Sequence, residues 1–285
     1  MRVINIIILI PFLLAGCLDV SNTNEMQLTN ELKAIDDYLK TATFVHVTDG
    51  NNQGVRIGVI EFGIGPPPHE GQVVNATFIG HLLSDWSVFE TVTFNDRVEL
   101  IPVIGLRAAV ESLPEGTKAT IFIASNYGFG PAGTLKVPGN TTIAYEVVLD
   151  KVIKTSTELI QFKSDTTAIQ KYLKDAAINA NVHSTGIRYT IDKTGTGASP
   201  DAFDLVSFQY KGSMLSTGAI FQESEIKKQI VFGLIDGLKI GFPLLKVGDA
   251  ATFYIPSGLG YGPLGTSLIP PNSNLIFEIK LTAFE

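Results

Sequence analysis

The sequence predicts an α+β fold built twice: two successive domains, each an antiparallel β-sheet wrapped around a short α-helix, and each preceded by an amphipathic helix. Three observations carry this reading. First, "GVRIGVIEFGIG" begins at Gly54 and "GIRYTIDKTGTG" at Gly186, an offset of 186 − 54 = 132. Gly80 and Gly212, Phe89 and Phe221, Gly105 and Gly237, Gly130 and Gly262, and Pro138 and Pro270 keep the same offset. A constant offset over about 100 residues marks two copies of one folding unit, because solenoid repeats are far shorter. Second, short apolar, β-branched segments within each copy are separated by glycine and proline, and one segment per copy reads as a helix instead. Third, "AIDDYLK" from Ala34 and "AIQKYLK" from Ala168 agree at five of seven positions, so each copy follows a related helix.

The elements follow in chain order. Arg2, the apolar "VINIIILIPFLL" and then Leu14-Ala15-Gly16-Cys17 have the layout of an export signal over residues 1–16. The apolar run from Val3 to Gly16 is broken by Pro11 and is too short to span a bilayer, which takes about 20 residues. "LAGC" resembles the bacterial lipobox, and the resemblance implies that Cys17 is lipidated and anchors the mature chain to a membrane. The alternative is a plain secretory signal that happens to contain a cysteine. Cys17 is the only cysteine, so an intrachain disulfide is ruled out and the fold must rest on its hydrophobic cores. Residues 17–26 are polar and expected to form a flexible tether. Residues 27–53 read as a helix and linker, with Leu28, Leu32, Ile35 and Leu39 as the apolar stripe.

The first copy occupies residues 54–154, a linker with a helix residues 155–185, and the second copy residues 186–285. In the linker helix, Ser164 or Asp165 is the expected cap, and Ile169, Tyr172, Leu173 and Ala176 the stripe. In the second copy "GIRYTI", "DLVSFQYKG", "QIVFGL", "AATFYIP" and "NLIFEIKLTAF" read as strands, while "DGLKIGFPLL" suits a short helix across the sheet. The first copy has "IGLRAAVESL" there. A helix on the concave face of one sheet leaves a pocket at one end.

Several function classes fall away. A formal charge of −7 without a basic stripe argues against nucleic acid as a partner. The strings Gly128-Phe129-Gly130-Pro131-Ala132-Gly133 and Gly260-Tyr261-Gly262-Pro263-Leu264-Gly265 spell GxGxxG, but the "TLKVPG" and "TSLIPP" that follow cannot open a helix. His46, His69, His81 and His183 are dispersed without ligand spacing and are expected at the surface or in loops, so neither metal nor cofactor is expected. Glu223 and Glu225 read as a solvated loop edge, and Trp86 as part of a local cluster in preference to a ligand contact. The tyrosine in "GLGYGPLG" fits the core poorly, since glycines on both sides make a tight turn, not a packed strand.

Strand "FQYKG", the "IFQES" bend, "LIDGLKIGFPLLKVGDAATFYIP", the "GYG" turn and "LIPPNSNLIFEI" resemble the FKBP family of peptidyl-prolyl cis/trans isomerases over all of Gly186–Glu285. The first copy resembles it more loosely. The resemblance implies a pocket with Tyr210, Phe221 and Phe277 as aromatic walls and Leu238 as its floor. Leu234 and Ile235 form the rim, with the Ile235 N–H facing a ligand carbonyl. Tyr261 hangs over the entrance and donates to the carbonyl beside the substrate proline, Ile269 closes the loop, and Gln222 contacts substrate where the family usually has aspartate.

The first copy departs further. Its pocket would comprise Phe78, Phe89, Glu90, Val103, Leu106, Phe129 and Tyr145. Phe78 and Phe129 stand where the second copy has Tyr210 and Tyr261, so both of those hydroxyls are gone; Pro102 and Gly139 alter the rim and loop. The resulting expectation is a lipid-anchored envelope protein facing the periplasm, acting on proline-containing segments of exported proteins. The second copy is the isomerase and the first is degenerate. The alternatives are a non-catalytic, chaperone-like peptide-binding lipoprotein and, last, a purely structural one.

Overall fold

The computed structural model describes residues 20–49 and 54–285; the export signal and Cys17 lie outside the described residues. Helix α1 (Val20–Leu39) leads into the first unit: β1 (His46–Thr48), β2 (Val55–Glu61), β3 (Val73–Leu82), β4 (Val88–Arg97), α2 (Ile104–Val110), β5 (Lys118–Ile123) and β6 (Ile143–Ile153). Helix α3 (Ser156–Asp175) leads into the second: β7 (Asn181–Val182), β8 (Arg188–Lys193), β9 (Leu205–Met214), β10 (Ile220–Ile230), α4 (Asp236–Gly241), β11 (Ala250–Ile255) and β12 (Leu275–Phe284). The first sheet runs β1-β2-β5-β6-β3-β4 and the second β7-β8-β11-β12-β9-β10, so each strand has its counterpart in the same place. Every neighbouring pair is antiparallel.

Alternation along the strands decides which side chains face the short helix. In β9, Val206, Phe208 and Tyr210 are buried, with Gln209 exposed between the last two; β3 buries Val74, Ala76 and Phe78 in the same rhythm. These residues join the short helix of each unit in one core. The outer face is covered as well. Phe122 and Ala144 of the first sheet pack with Ile35 of α1, and Tyr254 and Ile276 of the second pack with Ile169 and Leu173 of α3. Each sheet is therefore a middle layer, with a short helix on the site side and a long helix behind. That explains why β5 is buried at five successive positions, a pattern of coverage on both faces.

The structure corrects several expectations. Helix α1 already begins at Val20, inside the segment expected to be a flexible tether. Helix α3 starts at Ser156, not near Ser164 or Asp165. Its cap is Thr155, whose hydroxyl accepts from the Glu158 N–H (3.3 Å) while the Glu158 carboxylate accepts from the Thr155 N–H (2.6 Å). The Thr-x-x-Glu signal for this capping box was present in the sequence. Ala176 lies past the helix and is exposed, and Tyr172 sits at the edge of the stripe against Tyr254. "IFQES" is not a bend but part of β10, so exposed Glu223 and Glu225 stand on a strand and not a loop. "QIVFGL" is not a strand: Gln229 and Ile230 end β10, and Val231–Gly233 form a 3-10 turn.

Two single residues complete the picture. His81 is buried, contrary to the surface expectation, with Nδ1 at 3.0 Å from the Trp86 carbonyl. Trp86 stacks between His81 (4.6 Å) and Tyr38 of α1 (5.1 Å), so it belongs to the cluster that docks α1.

Candidate functional site

The site of the second unit is built on β9, β10 and β12, on the start of α4 and on the turn after β11. Across β9 and β10, Ile220 pairs with Ser213 and Gln222 with Gly212, which leaves Phe221 as a β-bulge. A bulge re-aims the side chain that it frees. Gly212 makes the room. A Cβ there would lie 2.5 Å from the Phe221 ring and 3.3 Å from Phe277, so only a glycine lets Phe221 lie over the strand. In the sequence Gly212 stands out only as a landmark of the repeat, and no local signal shows this close approach. Phe221 then meets Phe277 edge-on at 5.7 Å, and Tyr210 tilts against Phe277 at 6.0 Å.

The remaining expected residues converge on the same cluster. Leu238 and Ile269 are buried in it, and Leu234, Ile235 and Tyr261 pack against it half-buried. Ile235 caps the start of α4 in an extended conformation, and among the described residues its N–H meets no acceptor. It is therefore free to bind a ligand carbonyl. Tyr261 is carried by a turn in which the Gly260 and Gly262 N–H groups both donate to the Ser257 carbonyl, at 3.0 and 2.9 Å. Gly262 has φ of 57°, the left-handed region that glycine enters freely. Burial holds the Tyr261 phenol above its ordinary range; burial and then the nearness of Tyr261 do the same for Tyr210. Both phenols remain protonated hydrogen-bond donors at neutral pH. Gln222 is exposed, and among the described residues its side chain makes no hydrogen bond.

The first unit repeats the frame with other chemistry. Phe89 is freed by the matching bulge, since Val88 pairs with His81 and Glu90 with Gly80. Phe78, Phe89, Val103, Leu106 and Tyr145 share one buried cluster, with Phe129 packed against it. The loss of hydroxyls is not complete in the pocket as a whole: Tyr145 has a phenol where the second unit has Phe277, and it donates a hydrogen bond to the Glu90 carboxylate. Burial, then that bond, raises the Tyr145 phenol far above its ordinary range. The hydroxyl is engaged by Glu90.

Elsewhere, a groove of about 580 Å³ lies on the outer face of the second sheet, along Gln209, Lys211, Thr252 and Glu278. Its lining is charged and its Lys211 is already paired with Glu278 at 2.5 Å, so it lacks the apolar character of the aromatic site.

A family model described as FKBP-type peptidyl-prolyl cis-trans isomerase matches residues 65–150 and again residues 197–282, more than half of the chain. The chain belongs to this FKBP-type family. Both FKBP units are thus recognised separately, in agreement with the repeated sheet. Among curated relatives, the FKBP-type peptidyl-prolyl cis-trans isomerase FkpA of Aeromonas hydrophila is 36% identical over 140 residues, covering 45% of this chain and 52% of that protein. The probable FkpA of Neisseria meningitidis is 38% identical over 119 residues, covering 39% and 43%. The peptidyl-prolyl cis-trans isomerase Mip of Chlamydia pneumoniae is 32% identical over 126 residues, covering 42% and 48%. The chain thus spans about half the length of each of these relatives.

Proposed function

We propose that this protein is a peptidyl-prolyl cis/trans isomerase of the bacterial cell envelope, lipid-anchored through Cys17, whose second FKBP unit acts on proline-containing segments of exported proteins. The observation that carries the catalytic reading is the Tyr261 phenol, protonated and held by a glycine turn against the cluster of Tyr210, Phe221, Leu238 and Phe277. An Xaa-Pro bond rotates over a barrier of about 18–20 kcal/mol because twisting breaks amide resonance. The planar amide is the more polar state. An apolar pocket disfavours it relative to the twisted one, and in this reading the Tyr261 hydroxyl and Ile235 N–H hold the carbonyl as it turns. No bond is broken and no cofactor is called for.

The relatives named as isomerases support this reading, as does the contrast between the units: the first keeps the apolar walls but has Phe129 and Phe78 in place of the two phenols. Those retained walls also favour a second role, in which the first unit holds peptide without turning it over. Among the described residues no helix is long and apolar enough to cross a membrane. The lipobox-like Leu14-Ala15-Gly16-Cys17 is what supports an anchor at Cys17.

The test is a prolyl-isomerisation assay on the full mature chain and its Tyr261→Phe variant. The variant should keep its fold and lose severalfold to about tenfold in kcat/KM, the effect of one hydrogen bond made in the transition state. An inactive wild-type chain that still binds unfolded polypeptide would replace the enzyme with a binding module.

A further inference from the structure

The two long helices are fastened to their sheets by the same device, built from residues that the family pocket does not include. In α3 the Asp165 side chain is buried, and its Oδ2 accepts from the Ser257 N–H (3.0 Å) and the Ser257 hydroxyl (2.6 Å). Gln161, one turn earlier, donates to the other oxygen at 2.8 Å. In α1 the Glu31 carboxylate accepts from the Ser125 N–H and hydroxyl, both at 2.7 Å, and Gln27 one turn earlier donates to it at 2.9 Å. The acids differ in length, yet the glutamine, the carboxylate and the serine occupy matching places. A bare carboxylate buried behind a sheet costs several kcal/mol unless its oxygens are matched by donors. Here each is matched.

The serine is also the root of the Tyr261 turn. Its N–H and hydroxyl go to Asp165, while its carbonyl takes the N–H groups of Gly260 and Gly262 on either side of Tyr261. The Gly262 carbonyl in turn accepts from the Asn272 N–H at 2.9 Å, which closes the loop that carries Ile269. Leu259 buries this turn in the core and Tyr261 packs against the cluster, but its glycines at 258 and 262 have no packing to hold them. The space where a side chain would stand at Gly258 and at Gly262 is empty for 4 Å around. Glycines in open space have wide conformational freedom, so at these two positions, one of them next to Tyr261, the backbone is held by its hydrogen bonds. Those bonds lead through Ser257 to one carboxylate on a rigid helix.

The geometry points to Asp165 as a positioning residue of the isomerase site: through Ser257 it fixes the turn that aims the Tyr261 hydroxyl. This rests on the role proposed for Tyr261 above. Asp165 itself lies behind the sheet with α3 and acts only through the turn. Asn274 supports the same root, accepting from the Ser257 N–H at 3.1 Å and donating to the Asp165 carbonyl at 3.4 Å. Replacing Asp165 therefore loosens the turn without severing every bond to Ser257.

The experiment uses the full mature chain with Asp165→Asn and Asp165→Ala, each alone and combined with Tyr261→Phe. Asp165→Asn keeps the shape of the side chain and should lower kcat/KM about threefold, and Asp165→Ala about tenfold, mostly in kcat. In the Tyr261→Phe background either change should cost less than about twofold, because the hydroxyl to be aimed is already absent. Equal losses in both backgrounds would overturn the proposal. A second readout is independent of turnover: amide hydrogen exchange at Gly260 and Gly262 should quicken by about tenfold in Asp165→Asn while β11 and β12 stay protected. Unchanged exchange at those glycines, or equal acceleration across the whole unit, would refute the positioning role even if the wild-type chain proved inactive. Inactivity of the wild type with the expected exchange pattern would instead remove the enzyme reading and leave the link from Asp165 to the turn standing.

Discussion

Replacing Gly212 with alanine separates the wall of the pocket from the stability of the sheet that bears it. The new Cβ would stand 2.5 Å from two carbons of the Phe221 ring and 3.3 Å from Phe277, whereas carbon atoms rest at about 3.5–4.0 Å. The ring of Phe221 must therefore retreat by about 1 Å or more. Alanine itself suits the strand better than glycine by roughly 0.5–1 kcal/mol, and Gly212 has no positive φ for it to strain. Overpacking a core costs about 1–3 kcal/mol, so a net loss of roughly 0–2.5 kcal/mol is expected. It should fall at the low end because Phe221 is only half-buried and its ring can swing toward solvent. Activity should suffer more, falling about tenfold or further, since a displacement of about 1 Å at a positioned wall is felt strongly in the transition state. Gly80→Ala in the first unit is the control. There the Cβ would meet Phe89 at 2.4 Å, and that ring is buried edge-on between Phe129 (5.8 Å) and Tyr145 (5.6 Å), with no way out. It should show the full overpacking cost of about 1–3 kcal/mol in urea unfolding and leave isomerisation unaltered. The reasoning would be refuted if Gly212→Ala kept wild-type kcat/KM, or if Gly80→Ala lost activity instead.

The remaining predictions concern single groups. Tyr145→Phe should destabilise the first unit by about 1–2 kcal/mol in urea unfolding, because the Glu90 carboxylate loses the hydroxyl that donates to it, and a cost absent also from Glu90→Gln would mean that the bond is not formed in solution. Tyr254 has its phenol pushed up to about 12, first by burial under α3 and then by Tyr172, Asp192 and Glu278. Since the fold favours the protonated phenol, that contribution to stability is complete below pH 10 and is lost as pH rises through about 12; the decline should be shallower in Tyr254→Phe, measured by urea midpoints across that range. Cys17→Ala should lose its acyl mass and leave the membrane fraction, and persistence there after signal cleavage would overturn the anchor.

The duplication and the strand-rich units were legible in the sequence because they are written in local spacing. Val206, Phe208 and Tyr210 alternate along β9, and Gly260-Tyr261-Gly262 declares a turn, whatever the rest of the chain does. The residues of the aromatic site came from the family resemblance; of them, only Tyr261 had already been singled out, by its glycine turn. What spacing could not reveal is which distant surface each pattern meets. Asp165 reads as a candidate helix cap until Ser257, 92 residues later, is folded against it. Glu90 and Tyr145 are 55 residues apart, and only the pairing of β3 with both β4 and β6 brings them together across Gly80. The bulge at Phe221 likewise arises from the register of two strands and leaves no mark in either one alone. A side chain's own sequence decides the face of its helix or strand; burial, hydrogen-bond partners and close approaches depend on what covers that face, and that is decided only when the layers close.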